Sequence, residues 1–195
     1  MTTAARAPLA ALCRALAGFL LAIGFWYLMR APYDRLLANA GELLLRAVES
    51  PPVTRLTARG GEILVARADF PPAAPQPGLP AADLHFNVAI LAALFALDRH
   101  PLDASRVAAL LAAGILLFLV HVVALAFDVR SLYATGLGPW SAARYSPLAR
   151  NFWAGGFHFY EVAGRFAAPF AIWWPFRREP EEPSGGGGRP RKRAA

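Results

Sequence analysis

Apolar positions in this chain gather into blocks, and the longest is Val107 to Phe127, VAALLAAGILLFLVHVVALAF, closed by Arg106 and Asp128. It carries no charge and is apolar on every face, which a helix of a soluble domain seldom is. At 1.5 Å per residue it covers roughly 30 Å, the hydrocarbon thickness of a bilayer. A second block, Ala15 to Met29, ends in Trp26-Tyr27, a pair of the interfacial-anchor type, with Arg14 placed to snorkel at its other end. Its basic approach resembles a secretory signal, but Phe25 to Met29 is too bulky for a small-x-small cleavage site, so an uncleaved helix is expected. Leu84 to Leu97 is a shorter apolar run, joined to the long block by the charged turn Asp98-Arg99-His100-Pro101. Asn151 to Phe176 contains Glu161, Arg165 and Pro169 and closes on Trp173-Trp174-Pro175-Phe176. The pattern predicts an all-α membrane protein with about four transmembrane helices, at 15–29, 84–97, 106–127 and 151–176.

Between the first two spans, residues 30–83 form an insertion. Pro32 is expected to start a new element in which Leu36, Leu37, Ala40, Leu43, Leu44, Ala47 and Val48 recur at helical spacing. Asp34, Arg35, Asn39, Glu42, Arg46 and Glu49 take the other face, giving an amphipathic helix stopped by Pro51-Pro52. Val53–Ala58 and Glu62–Asp69 read as two strands of a hairpin around Arg59-Gly60-Gly61. Phe70–Asp83, with five prolines, reads as an extended linker. Residues 128–150 form a second, Gly/Pro-broken loop with Tyr133, Trp140 and Tyr145.

Composition agrees with a membrane setting: 56% of residues are hydrophobic and 17% charged, where a soluble domain carries about a quarter charged. The net charge of +7 is spread along the chain except in the tail, so it reads as a topology signal and not as a nucleic-acid surface. The basic, glycine-rich tail 177–195 is expected to be disordered and cytoplasmic. Four spans then put the N-terminus, 1–14, on the cytoplasmic side and the insertion and the 128–150 loop outside the inner membrane. Cys13 is alone, so no disulfide or Cys-based zinc site can form.

With that topology, seven polar residues fall in the outer half of the bundle: His85 and Asn87 at the start of span two, His121 and Asp128 on span three, and His158, Glu161 and Arg165 on span four. Ionisable groups at depth are costly and mark a bundle interior or wet cavity. The plain reading makes Glu161 and Arg165 an i, i+4 ion pair and His121 an interhelical hydrogen-bond partner. His158 and Glu161 have the i, i+3 spacing of bundle metal sites, but such sites repeat the pattern on a second helix with further carboxylates, so no metal or other cofactor is expected. Signatures such as G-x-S-x-G, HExxH, a P-loop or G-x-G-x-x-G do not occur.

Several short motifs fit one family. The first span ends Phe25-Trp26-Tyr27-Leu28, an amphipathic helix and hairpin follow, the next span opens His85-Phe86-Asn87-Val88, the long span ends Phe127-Asp128-Val129, and the last follows an aromatic, glycine-containing turn. Over most of 15–176 this resembles the small exosortase H-associated membrane proteins; the basic tail and proline linker lie outside the likeness. The resemblance implies a non-catalytic accessory of an exosortase, a membrane transpeptidase-like enzyme that processes C-terminal sorting signals. Exosortases resemble a Cys/Arg/His design with the cysteine near the outer face, and this chain has none there. Membrane lipids and an exosortase-like polytopic protein are the expected partners. Two other readings stay open: a membrane enzyme or transporter using Glu161, Arg165, His121 and His158, and an assembly factor of another membrane complex.

Overall fold

The computed structural model describes residues 3–71, 73–98 and 100–177, and the side chains from residue 9 onward; the basic tail beyond Arg177 lies outside the described residues. The chain is mostly helical, with one small sheet. Helix α1, Thr3–Val48, is a single rod of 46 residues. The sequence expectation of two elements parted at Pro32 is therefore corrected. Proline fits the first turn of a helix best, and inside one it gives up the bond to the carbonyl four residues earlier, here that of Leu28, yet the helix runs on through Pro32, whose ring is exposed. The face turned inward is Asp34, Leu37, Ala38, Gly41 and Leu45, while Leu36, Leu43 and Val48 are left exposed.

Strands β1 (Thr54–Arg59) and β2 (Glu62–Arg67) form the expected hairpin, with Gly60 and Gly61 at φ +64° and +86° in the turn. Two consecutive left-handed residues are what a two-residue hairpin turn needs, and glycine supplies them without strain. Strand β3 (Gly78–Pro80) adds to β2 in antiparallel register, so part of the proline-rich stretch is sheet. Edge strand β1 is closed by α1: Glu42 Oε2 accepts the Leu56 N–H at 2.9 Å, and Glu49 Oε2 accepts those of Thr54 at 2.9 Å and Val53 at 3.2 Å. Unpaired edge N–H groups invite another strand, and two carboxylates, one on α1 and one just past its end, remove the invitation here.

Helices α2 (Ala81–His85) and α3 (Val88–Ala96) follow, broken at Phe86-Asn87. Helix α4, Ala104–Ser131, continues into a π-helical turn, Leu132–Gly136, then α5, Pro139–Arg144. Helix α6 (Pro147–Phe159) passes through a second π turn, Tyr160–Gly164, into α7 (Arg165–Trp173).

Pairwise contacts fix the rod directions. Arg14 donates to the Leu97 carbonyl and Trp26 to His85, so α1 and α3 are antiparallel. Phe86 meets Phe166 and Phe95 meets Phe176, so α3 and α7 run together. Arg106 donates to the Phe176 carbonyl, so α4 opposes α7. Close approach needs small residues: a Cβ on Gly18 would stand 2.5 Å from that of Ala96, and one on Gly41 2.6 Å from Leu125 Cδ2. Two apolar clusters result. One, Leu91, Phe95, Ala113 and Leu117, lies between α3 and α4; the other joins the sheet (Leu56, Ile63, Val65, Leu79) to Leu37, Leu45, Leu125 and Val129.

Two helical stretches are long and apolar enough to cross a membrane, Leu9–Val48 and Ala104–Gly136, while Ala81–Ala96 is shorter. The most apolar window of the first has no residue buried inside the bundle. Exposed large apolar side chains run from Leu9 to Met29 on α1, roughly 30 Å by helical rise, and from Val107 to Val123 along α4, roughly 24 Å. A patch of that size on a soluble monomer would be an aggregation hazard.

Candidate functional site

Where the four rods meet, a layer of buried polar side chains crosses the bundle, about 22 Å up α4 from Arg106. Trp26 Nε1 lies 2.8 Å from His85 Nδ1, and His85 Nε2 lies 2.7 Å from Asp34 Oδ1. Indole N–H can only donate, so His85 Nδ1 accepts and its proton sits on Nε2, pointing at the carboxylate. A second chain runs from the Tyr33 hydroxyl to His121 Nδ1 (2.6 Å), from His121 Nε2 to Asn87 Oδ1 (2.8 Å), and from Asn87 Nδ2 to the Arg165 carbonyl (2.8 Å). Its direction follows from the last link: the carbonyl needs a donor, so the amide nitrogen faces Arg165 and the amide oxygen faces His121. Tyr33 O–H therefore donates to His121. Tyr33 also packs its ring against His85 at 4.8 Å, joining the two chains.

The Arg165 carbonyl is available for a local reason. Pro169 lies inside α7 and has no N–H to return to the carbonyl four residues earlier, which is that of Arg165. A carbonyl freed inside a packed bundle needs a substitute donor, and Asn87 provides it. Asn87 can reach because the α2–α3 break puts it at the head of α3. Tyr160, in the second π turn, donates to the Leu84 carbonyl at 2.6 Å and ties the last rod to α2.

Of the seven residues singled out from sequence, His85, Asn87 and His121 share this layer, and Arg165 joins it through its backbone. Glu161 and Arg165 form the expected i, i+4 ion pair at 3.4 Å, half-buried beside it. Asp128 lies two turns above His121, half-buried and within electrostatic reach of Glu161 and Asp83. His158 is not in the layer: it is exposed, with its ring against that of Phe157. The π turn immediately after it widens the helix, and Tyr160 takes the inward position in its place.

Four members were missed from sequence: Trp26, Tyr33, Asp34 and Tyr160. The first three stand at i, i+7 and i+8 on α1 and so share a face, a signal that needs the helix to continue through Pro32.

Chemically the layer is closed. His85 and His121 are 1% and 0% exposed, and both ring nitrogens of each are engaged. Neither retains a lone pair for a metal or a proton in flight. Among the described residues, no three His, Cys, Asp or Glu side chains converge as a metal site would require. The arrangement latches four rods in register. No family model, curated protein or solved structure matches the chain.

Proposed function

We propose that this chain is a non-catalytic, four-span inner-membrane accessory protein supporting an exosortase-type C-terminal sorting system, with both termini in the cytoplasm. The observation that carries the reading is the saturation of the polar layer: its side chains bond one another inside the bundle and leave none facing a substrate. Partner contact then falls to surfaces that stay uncovered. Those are the apolar belt of α1 and, above it, the exposed Leu36, Leu43 and Val48 on the part of α1 that carries the sheet. A polytopic partner would cover the first within the membrane and the second outside it. The fold-independent support is the motif likeness over most of 15–176, including Phe25-Trp26-Tyr27-Leu28 and His85-Phe86-Asn87-Val88.

Co-purification tests this. Replacing Leu36, Leu43 and Val48 together by serine should release an exosortase-type partner while the protein stays in the membrane, since none of the three is in the core. Unchanged co-purification overturns the reading. Glu161→Gln should leave sorting intact; its loss at normal expression would instead favour a membrane enzyme using the Glu161–Arg165 pair.

A further inference from the structure

At the sheet-bearing end of the bundle a cavity of about 460 Å³ opens between the end of α1, the end of β2, α4 and α5. Arg67, Arg130 and Arg144 line it, with Trp140 and Tyr145. Its two carboxylates are already committed. Asp69 takes two 2.9 Å bonds from Arg67, and Glu49 accepts from two backbone N–H groups and, at 2.5 Å, from the Thr54 hydroxyl. Arg130 stands 3.8 Å from Glu49, and its Nε is buried with no hydrogen-bond partner. Arg144 is exposed and lies 4.6 Å over the Trp140 ring, with no carboxylate at ion-pairing distance among the described residues. Two guanidiniums thus bring unspent donors to one cavity, in a planar geometry suited to an oxyanion.

We propose that this cavity binds the phosphate of an anionic phospholipid headgroup. The lipid source is argued from what adjoins the arginines. Helix α6 begins just past Tyr145, and Leu148, Phe152 and Phe159, at spacings of four and seven, form one stripe along it with exposures of 79%, 59% and 70%. A headgroup held by Arg130 and Arg144 would lay an acyl chain down that stripe, with Trp140 and Tyr145 at the level where such rings prefer to sit. Free phosphate would leave the stripe uncovered. The inference rests on the membrane placement proposed above.

Native mass spectrometry of the full chain tests it, with phosphatidylglycerol and phosphatidylcholine as alternative probes. Retention in the membrane pellet after alkaline carbonate is measured first, so a failure of the membrane reading shows there and not in lipid binding. Wild-type protein should retain phosphatidylglycerol over phosphatidylcholine. Arg144→Gln, at an exposed site, should lower that retention about fivefold, and Arg130→Gln with it further. Arg59→Gln, an exposed arginine on the hairpin, should lower it little. Equal retention of the two lipids, or an equal effect of Arg59→Gln, overturns the site. Displacement of the lipid by excess inorganic phosphate overturns the lipid assignment.

Discussion

Asn87 is the residue on which the polar layer turns, because it answers a deficit created on another helix. Removing its amide as Asn87→Ala leaves both the Arg165 carbonyl and the His121 Nε2–H without partners. The expected loss is about 1–3 kcal/mol of stability. Pro169→Ala restores an N–H four residues after Arg165, so the carbonyl can bond within its own helix. The double variant should therefore be less destabilised than the two single changes sum to, by about 1 kcal/mol. Thermal unfolding of the four proteins reads this directly, and strict additivity would break the link drawn between Pro169 and Asn87. Outside the bundle, hydrogen bonds from Arg67 hold the Asp69 carboxyl below the usual carboxylate range. A depressed pKa stabilises the fold above the ordinary carboxylate value near 4 and loses that contribution as pH falls through the lowered one. Asp69→Asn should thus cost stability at pH 7, well under 1 kcal/mol for so exposed a pair, and nothing further in strong acid. A cost that persists unchanged in strong acid would mean the ion pair is not its source. His85, Asn87 and His121 were legible as one layer because counting along antiparallel spans sets their depth. Tyr33 and Asp34 were not, because Pro32 reads as a helix start and hides that they continue the face of Trp26.

Among the elements, the hairpin and the long α4 were the most legible. Gly60-Gly61 has few conformational alternatives to a tight turn, and a charge-free run of 21 residues has few alternatives to a continuous helix. Strand β3 was hidden by its prolines. Pro80 ends an edge strand, where a missing N–H costs no ladder bond, so a composition typical of linkers also suits this position. Glu42 on α1 and Glu49 just past its end, expected on the polar face of an amphipathic helix, hold the edge of β1. Glu49→Ala should free the Val53 and Thr54 amides and speed their hydrogen exchange, with the β1–β2 pairing itself left in place. Unaltered exchange would mean that the helix contributes nothing to closing that edge. Helix crossings depend on small residues in the same local way. A Cβ on Gly156 would collide with the Phe127 ring, so Gly156→Val should destabilise strongly, and Phe127→Ala should recover part of the loss. No recovery would place the clash elsewhere.

For the whole molecule, the four-span topology proposed above raises the question of which way the rods would face the membrane. Their alternation is fixed by contacts at both ends: Arg14 with Leu97 and Arg106 with Phe176 at one, Trp26 with His85 and His121 with Asn87 toward the other. The composite of α2 and α3 is the weak member, because its 16 residues rise only about 24 Å and their break is occupied by the polar layer. A short rod can still serve a crossing if the polar layer and the sheet lie at the outer interface, where the hydrocarbon is already ending. That arrangement makes a definite labelling prediction. In a Cys13→Ser background, single cysteines at Thr57 and Ala143, both exposed at the sheet-bearing end, should react with an impermeant maleimide added to intact cells. Leu102→Cys, exposed between α3 and α4, should react only after the membrane is opened. If Thr57 and Leu102 label together from outside, α3 does not cross, and the polar layer cannot be a shared outer level. If Leu102 labels from outside while Thr57 and Ala143 do not, the bundle is inverted. The sheet and the arginine-lined cavity would then face the cytoplasm, where an accessory to extracytoplasmic sorting has no use for them.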